Sequence, residues 1–160
     1  MRFNSPRIIA GLVGAALVLS AIAYPYVAGS GDANLSTRPK AFSVNGETRQ
    51  ITLIASTDAS REKGLMDSKI TNATFVLFAF PTRGFHTFWM YHTNSSLDIV
   101  WIDGTEAGGR VVYLVMDATS CYTDSCPRYT PDSEANFAIE GKAGFAETLG
   151  ITNGTEVQFH

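Results

Sequence analysis

The stretch FWMYHTNSSLDIVWID, residues 88–103, decides the fold of this chain. Two runs rich in aromatic and β-branched residues, at 87–92 and 97–102, favour strands, and a polar segment between them favours a turn. Asp98 lies inside the second run, where an unpaired carboxylate would be costly to bury. The stretch therefore predicts two neighbouring strands and a carboxylate that needs hydrogen-bond partners.

The segments on either side extend this pattern. Asn45-Gly46 predicts a type I′ hairpin turn, because both residues tolerate the positive φ angles that this turn requires. Further strands are predicted at 41–44, 48–56, 75–80, 110–116, 137–140 and 156–159, short helices at 59–66 and 143–149, and a surface loop at 118–136. The expected fold is an α+β domain, mainly antiparallel β, forming a small, partly closed β-barrel with two short helices.

The N-terminus predicts export from the cytoplasm. Residues 8–31 carry no charge, and Arg2 and Arg7 precede them. About 20 apolar residues suffice to cross a bilayer as a helix, and the arginines favour an inside N-terminus. We therefore expect a single-pass anchor at 1–31, a linker at 32–40 and one outside domain at 41–160. The alternative is a signal peptide cleaved near Ala21-Ile22-Ala23, which would give a secreted protein.

The charge balance argues against a nucleic-acid partner. Apart from Arg2 and Arg7, ten Lys and Arg residues oppose 15 Asp and Glu residues, a net charge of about −5. A protein that neutralises phosphates needs a basic patch or stripe, and the sequence has none.

The cysteines and asparagines also suit an extracytoplasmic protein. Cys121 and Cys126 are the two cysteines, and their close spacing predicts a structural disulfide. Four Asn-x-Ser/Thr sequons indicate a glycosylated surface protein and favour an archaeal cell envelope. These sequons begin at Asn34, Asn72, Asn94 and Asn153.

Several motifs occur in an order that resembles a known family. They are RxxGLM at 61–66, FWMxxTxxxLDIVxID at 88–103, CPxYxP at 126–131, AxFxxE at 135–140, AG at 143–144 and GIxxGxxV at 150–157. Together they resemble the family of domain of unknown function number 192, found in bacteria and archaea and often behind a signal or anchor. The resemblance covers residues 44–159 and implies a compact β-rich fold with no established activity.

Four residues are the candidates for a binding site. Asp98 either fixes the turn that precedes its strand, through backbone or Thr93 hydrogen bonds, or contacts a ligand. Arg61 is a candidate partner for Asp98 or for Glu140, because a guanidinium can engage a carboxylate with two hydrogen bonds. Strand alternation places Trp89 on the opposite face from Phe88, so Trp89 could line a cleft or pack in the core.

Three functions follow from these residues. The first is a non-catalytic, membrane-anchored accessory or binding module, with an unknown ligand or a membrane-protein partner; no catalytic residue and no resident cofactor are assigned. The second is an envelope carbohydrate-active enzyme that uses Asp98 and Glu140. The third is an extracytoplasmic copper-binding protein, because imidazole and thioether groups suit copper. Its candidate ligands are Met66, His86, Met90 and His92.

Overall fold

A computed structural model describes residues 38–160. The predicted anchor, most of the predicted linker and the sequon at Asn34 lie outside the described residues. No helix within residues 38–160 is both long enough and apolar enough to cross a membrane. The described elements, in chain order, are β1 (Ala41–Val44), β2 (Glu47–Gln50), β3 (Leu53–Ala55), α1 (Asp58–Lys63), β4 (Phe75–Gly84), β5 (Phe88–Trp89), β6 (Leu97–Thr105), β7 (Gly108–Ala118), β8 (Arg128–Tyr129), β9 (Ala135–Lys142), α2 (Phe145–Thr148) and β10 (Glu156–Phe159).

Eight strands form one curled sheet in the order β2-β1-β10-β7-β6-β9-β4-β3. Its two edge strands, β2 and β3, are consecutive in the chain, and only Ile51 and Thr52 join them. The three steps of chain from Gln50 to Leu53 span at most about 10 Å, so the two edges must come close together. Phe42 of β1 and Phe75 of β4 accordingly meet with ring centroids 5.2 Å apart. The sheet is therefore a half-barrel, which confirms the predicted fold class.

A hydrophobic core covers each face of this sheet. The inner core contains Phe42, Phe75, Val100 and Ile139 and includes Phe145 of α2. Strand alternation sends the intervening residues to the other face. The outer core is formed by side chains that include Val76, Phe78, Phe88, Met90, Ile99 and Trp101.

The local strand predictions are confirmed where the pattern is strongest. Asn45 and Gly46 have φ angles of 51° and 85°, as a type I′ turn between β1 and β2 requires. Strands β6, β7 and β10 occupy the predicted segments, although β6 and β7 are longer than predicted.

Other strands differ because they depend on distant partners. The strand predicted at 48–56 is divided, since β3 leaves β2 and pairs in parallel with β4. β4 passes through Pro81 with a register shift between Ala79 and Gly84, which accommodates a residue without an N–H. Of the strand predicted at 87–92, only the two residues of β5 are extended. β5 pairs with β8, which lies inside the predicted surface loop at 118–136.

Both helices are shorter than predicted. At the start of α1 the Thr57 side chain accepts a hydrogen bond from the Ser60 backbone N–H, and the Ser60 side chain accepts one from the Thr57 N–H. α1 ends at Gly64, whose φ is 43° and where an added Cβ would lie 3.2 Å from the Phe78 ring. This close approach, which a larger residue would hinder, sets α1 against the outer core.

Candidate functional site

A pocket of about 220 Å³ opens between α1 and the outer face of the sheet. α1 and the residues after it form one side, β4 and β5 form another, and β9 lies at the base. Its lining includes Arg61, Met66, Phe78, Trp89, Thr93 and Glu140. Three of the four residues predicted for a binding site, Arg61, Trp89 and Glu140, thus line one pocket.

Glu140 is the polar group that distinguishes this pocket. Its side chain projects from β9 between Val76 of β4 and Ile99 of β6, in the outer core. It is only 4% exposed, and within residues 38–160 its carboxyl group has no hydrogen-bond or ion-pair partner, so burial is the one influence on its pKa. No side-chain oxygen in this part of the chain is both fully buried and unpartnered, which means that the Glu140 oxygens open onto the pocket. Burial away from water raises the pKa of Glu140 from 4.5 to about 8, because desolvation penalises the charged form. At neutral pH the pocket therefore holds a mostly protonated acid.

Arg61 holds α1 in place and does not pair with either predicted carboxylate. One terminal nitrogen, Nη1, donates to the backbone oxygens of Ser56 and Ala79, at 2.7 and 2.8 Å. The other, Nη2, pairs with Asp58. Because α1 buries none of its own side chains, these contacts fix the wall of the pocket. The predicted pairing of Arg61 with Asp98 or Glu140 is wrong.

The aromatic residues divide between core and pocket as strand alternation predicts. Phe88 and Met90 are buried, while Trp89 and Tyr91 are partly exposed and stack with ring centroids 5.2 Å apart. The guanidinium of Arg128 lies 5.2 Å from the centroid of the Trp89 ring. Trp89 is therefore held between two neighbours and lines the rim of the pocket.

Thr93 is a pocket residue that the sequence pattern did not single out. Its side chain is 4% exposed, and its hydroxyl contacts the Tyr91 carbonyl oxygen at 3.4 Å. Sequence reasoning considered Thr93 only as a partner for Asp98. Its place in the FWMxxT motif, directly after the strand predicted at 87–92, was the available signal.

Asp98 lies outside this pocket and has a structural role. Its carboxylate oxygens accept hydrogen bonds from the backbone N–H groups of Asp117 at 2.9 Å, Gly144 at 2.9 Å and Ala146 at 3.0 Å. The side chain is 1% exposed. The expectation of backbone partners is confirmed, but Thr93 is not among them, and none of the three partners lies in the turn that precedes β6. Asp98 joins β6, β7 and the start of α2.

The two carboxylates proposed for a glycosidase point to opposite faces of the sheet. Glu140 is opposite Ile99 in the pairing of β6 with β9, whereas Asp98 is opposite Gly141. Successive side chains of a strand alternate between faces, so Asp98 faces the inner core and Glu140 the outer pocket. A glycosidase needs both carboxyl groups beside one glycosidic bond. That requirement is not met by this pair.

The residues considered for copper lie in different surroundings. His86 stacks on Phe80 with centroids 3.6 Å apart, whereas Nδ1 of His92 lies 3.3 Å from an Asp67 carboxylate oxygen. Met90 is fully buried, and Met66 lines the pocket. Within residues 38–160, no cluster of three or more His, Cys, Asp or Glu side chains is placed to hold a metal ion.

The cysteines form the predicted disulfide, with Cα atoms 5.7 Å apart. Cys121 also makes an isolated β-bridge with Tyr91, so the disulfide loop is attached to the segment that follows β5. The sequon residues Asn72, Asn94 and Asn153 are all exposed.

The described domain coincides with the extent of a known family. The sequence profile of DUF192, described as "Uncharacterized ACR", matches residues 41–159. The chain belongs to the DUF192 family. The sequence has no significant match among curated proteins.

Two solved structures show the same fold as this DUF192 domain. One is a protein of unknown function from Novosphingobium aromaticivorans DSM 12444, with a TM-score of 0.61 and 23% identity over 75% of this chain and 83% of that chain. The other, proposed to be a transcription regulator, is from Sinorhizobium meliloti 1021, with a TM-score of 0.61 and 21% identity over 74% of this chain and 90% of that chain. At these identities the similarity shows the fold alone.

Proposed function

We propose that this DUF192 protein is a membrane-anchored, extracytoplasmic binding module whose ligand occupies the Glu140 pocket. The observation that carries the proposal is the Glu140 carboxyl group, which is nearly buried, has no partner within residues 38–160 and faces open space. The Glu140 oxygens are open to the pocket, and a carboxyl group so far removed from bulk water is stabilised by a hydrogen-bond partner. A ligand would supply the missing partner.

The surroundings of Glu140 support binding over a purely structural role. A carboxyl group kept at this position lowers stability, since a nonpolar side chain would fill the same space without a desolvation cost. Asp98 shows what a structural carboxylate in this fold looks like, because three backbone N–H groups satisfy it. Glu140 has no comparable backbone N–H partners. Small-molecule sites commonly combine an apolar pocket with a few polar groups, as this pocket does.

The location rests on the sequence. Residues 8–31 without charge, preceded by two arginines, support an anchor with the domain outside the membrane, and the disulfide supports an oxidising compartment. Glycosylation of the exposed sequons at Asn72, Asn94 and Asn153 belongs to the same proposal. An envelope location would give the pocket access to extracellular solutes or to an adjacent membrane protein.

One experiment tests both parts. The full chain with a C-terminal tag is extracted from its native membrane in mild detergent, and mass spectrometry identifies its N-terminus, its glycans, and the proteins and small molecules that co-purify. We expect an intact Met1 and a small molecule that wild type retains and Glu140→Gln loses. Glu62→Gln is the matched control, because Glu62 lies at the rim and is exposed.

Two outcomes would contradict the proposal. A cleaved N-terminus would replace the anchored module by a secreted one. Wild type and Glu140→Gln carrying the same molecules, or none, would remove the binding role from the pocket.

A further inference from the structure

We infer that the pocket binds a small primary organic ammonium ion, whose N–H groups donate to Glu140 and Thr93 while its apolar part packs against Met66 and Phe88. The inference rests on the proposed function and specifies the ligand class. It follows from which hydrogen-bonding groups of the pocket remain free.

The donors on the α1 side are already used. Arg61 donates to two backbone oxygens and pairs with Asp58, while Lys63 pairs with Asp67 at 3.7 Å. These cations are therefore less available to a carboxylate or phosphate on a ligand than their number suggests.

The two buried polar side chains of the pocket, Glu140 and Thr93, can both act as acceptors. The Glu140 carboxylate would accept hydrogen bonds in its ionised form, and no group within residues 38–160 donates to it. The Thr93 hydroxyl is directed to the Tyr91 carbonyl oxygen, which leaves the Thr93 oxygen as an acceptor. A ligand that donates several N–H bonds from one centre satisfies both groups, as an ammonium group does.

The charge around the pocket also favours a cation. The charged groups that line it besides Glu140 are Arg61, Glu62 and Lys63, all from α1. The strands beside Glu140 present Val76 and Ile99, which are uncharged. Arg61 is paired with Asp58, and the opposite charges of Glu62 and Lys63 lie at the exposed rim, so an ionised Glu140 is the uncompensated charge inside the pocket.

The size of the pocket limits the ligand. An engineered apolar cavity of about 150 Å³ holds a benzene molecule. The pocket of about 220 Å³ therefore accepts a single ring with one substituent, or an aliphatic amine of similar volume. Its apolar wall, formed by Leu65, Met66 and Phe88, suits the hydrocarbon part.

Binding of an ammonium ion would release a proton. Glu140 is mostly protonated at neutral pH because its pKa is about 8, and it must ionise to pair with a cation. The carboxyl proton passes to solvent, and the ammonium group keeps its own protons. Affinity for the cation should therefore rise about tenfold from pH 6 to pH 7 and level off above pH 8.

The test uses three probes that share one ring and differ in charge: benzylammonium, benzyl alcohol and benzoate. Binding to the full chain in detergent is measured by calorimetry between pH 6 and pH 8. Benzylammonium should bind with a dissociation constant of about 1 mM or tighter at pH 8. Glu140→Gln should weaken this at least about tenfold and abolish its pH dependence, and Glu62→Gln should change it by less than about threefold.

Each other result overturns the inference. Benzyl alcohol or benzoate binding as tightly as benzylammonium, with dependence on Glu140, would keep the binding role and reject the cation. If none of the probes binds, or if Glu140→Gln has no effect, the pocket does not take an organic ammonium ion. The molecules that co-purify with the native protein test the proposed function separately.

Discussion

The two buried acidic residues of this domain, Asp98 and Glu140, differ in the number of hydrogen bonds that their carboxyl groups accept. Asp98 receives three backbone hydrogen bonds, whereas Glu140 receives none within residues 38–160. Backbone N–H groups satisfy the Asp98 carboxylate, whereas the apolar surroundings of Glu140 favour its protonated form. The two residues therefore make opposite contributions to stability, and substitution at each one can separate them.

Removing the carboxyl group of Glu140 should stabilise the domain at high pH. The pKa of Glu140 is about 8 in the folded protein and 4.5 ordinarily, so the folded state holds a proton between these values that the unfolded state has lost. Stability therefore falls as pH rises from 4.5 to 8, by up to about 5 kcal/mol. Urea unfolding of wild type and Glu140→Gln across this range should show a difference that grows with pH. A constant difference would contradict burial of an unpaired acid.

Replacing Asp98 should destabilise the domain. Asp98→Asn puts an amide NH₂ where one carboxylate oxygen accepts, so at least one buried backbone N–H loses its partner. We expect a loss of about 3 kcal/mol in the free energy of unfolding. Asp103→Asn is the control, because Asp103 makes a surface pair with Arg83 at 2.8 Å, and its loss should cost less than about 1 kcal/mol. Equal effects of the two variants would mean that the Asp98 bonds contribute little.

The elements differ in how far local sequence determines them. Asn45-Gly46 and Thr57 carry enough local chemistry to predict a hairpin and a helix start. The insertion of β9 between β6 and β4, and the parallel pairing of β3, depend on contacts distant in sequence. The site depends on distant contacts in the same way. Arg61, Trp89 and Glu140 were predicted as candidates, but no local pattern shows that these three share a pocket and that Asp98 lies outside it.

The position of α1 depends on Arg61. Arg61→Lys keeps the charge but loses the fork that reaches the Ser56 and Ala79 oxygens, so α1 should loosen and global stability should fall by about 1–2 kcal/mol. Hydrogen exchange of the α1 amides should quicken. Lys63→Gln removes an exposed pair at 3.7 Å and should leave both quantities nearly unchanged. Unchanged exchange in Arg61→Lys would show that Gly64 and Leu65 alone hold α1.

At the scale of the whole domain, two cores share one set of strands. β4, β6 and β9 send alternate side chains to the inner and outer cores, so neither core can form without the same three strands. This arrangement predicts a single cooperative transition. Thermal unfolding of residues 34–160 should give the same midpoint by far-ultraviolet circular dichroism and by the fluorescence of Trp89 and Trp101, which report on the outer side. Separate midpoints would show that the two faces unfold independently.

The place of β10 affects when the domain can fold. β10 is the last strand in the chain, yet it lies inside the sheet, where it pairs with β1 on one side and β7 on the other. Until residues 156–159 leave the ribosome, β1 and β7 lack the strand that lies between them, and the half-barrel is incomplete. If the domain is exported as proposed, a sheet that cannot be completed before residues 156–159 are synthesised would keep the chain unfolded, as passage through a translocation channel requires.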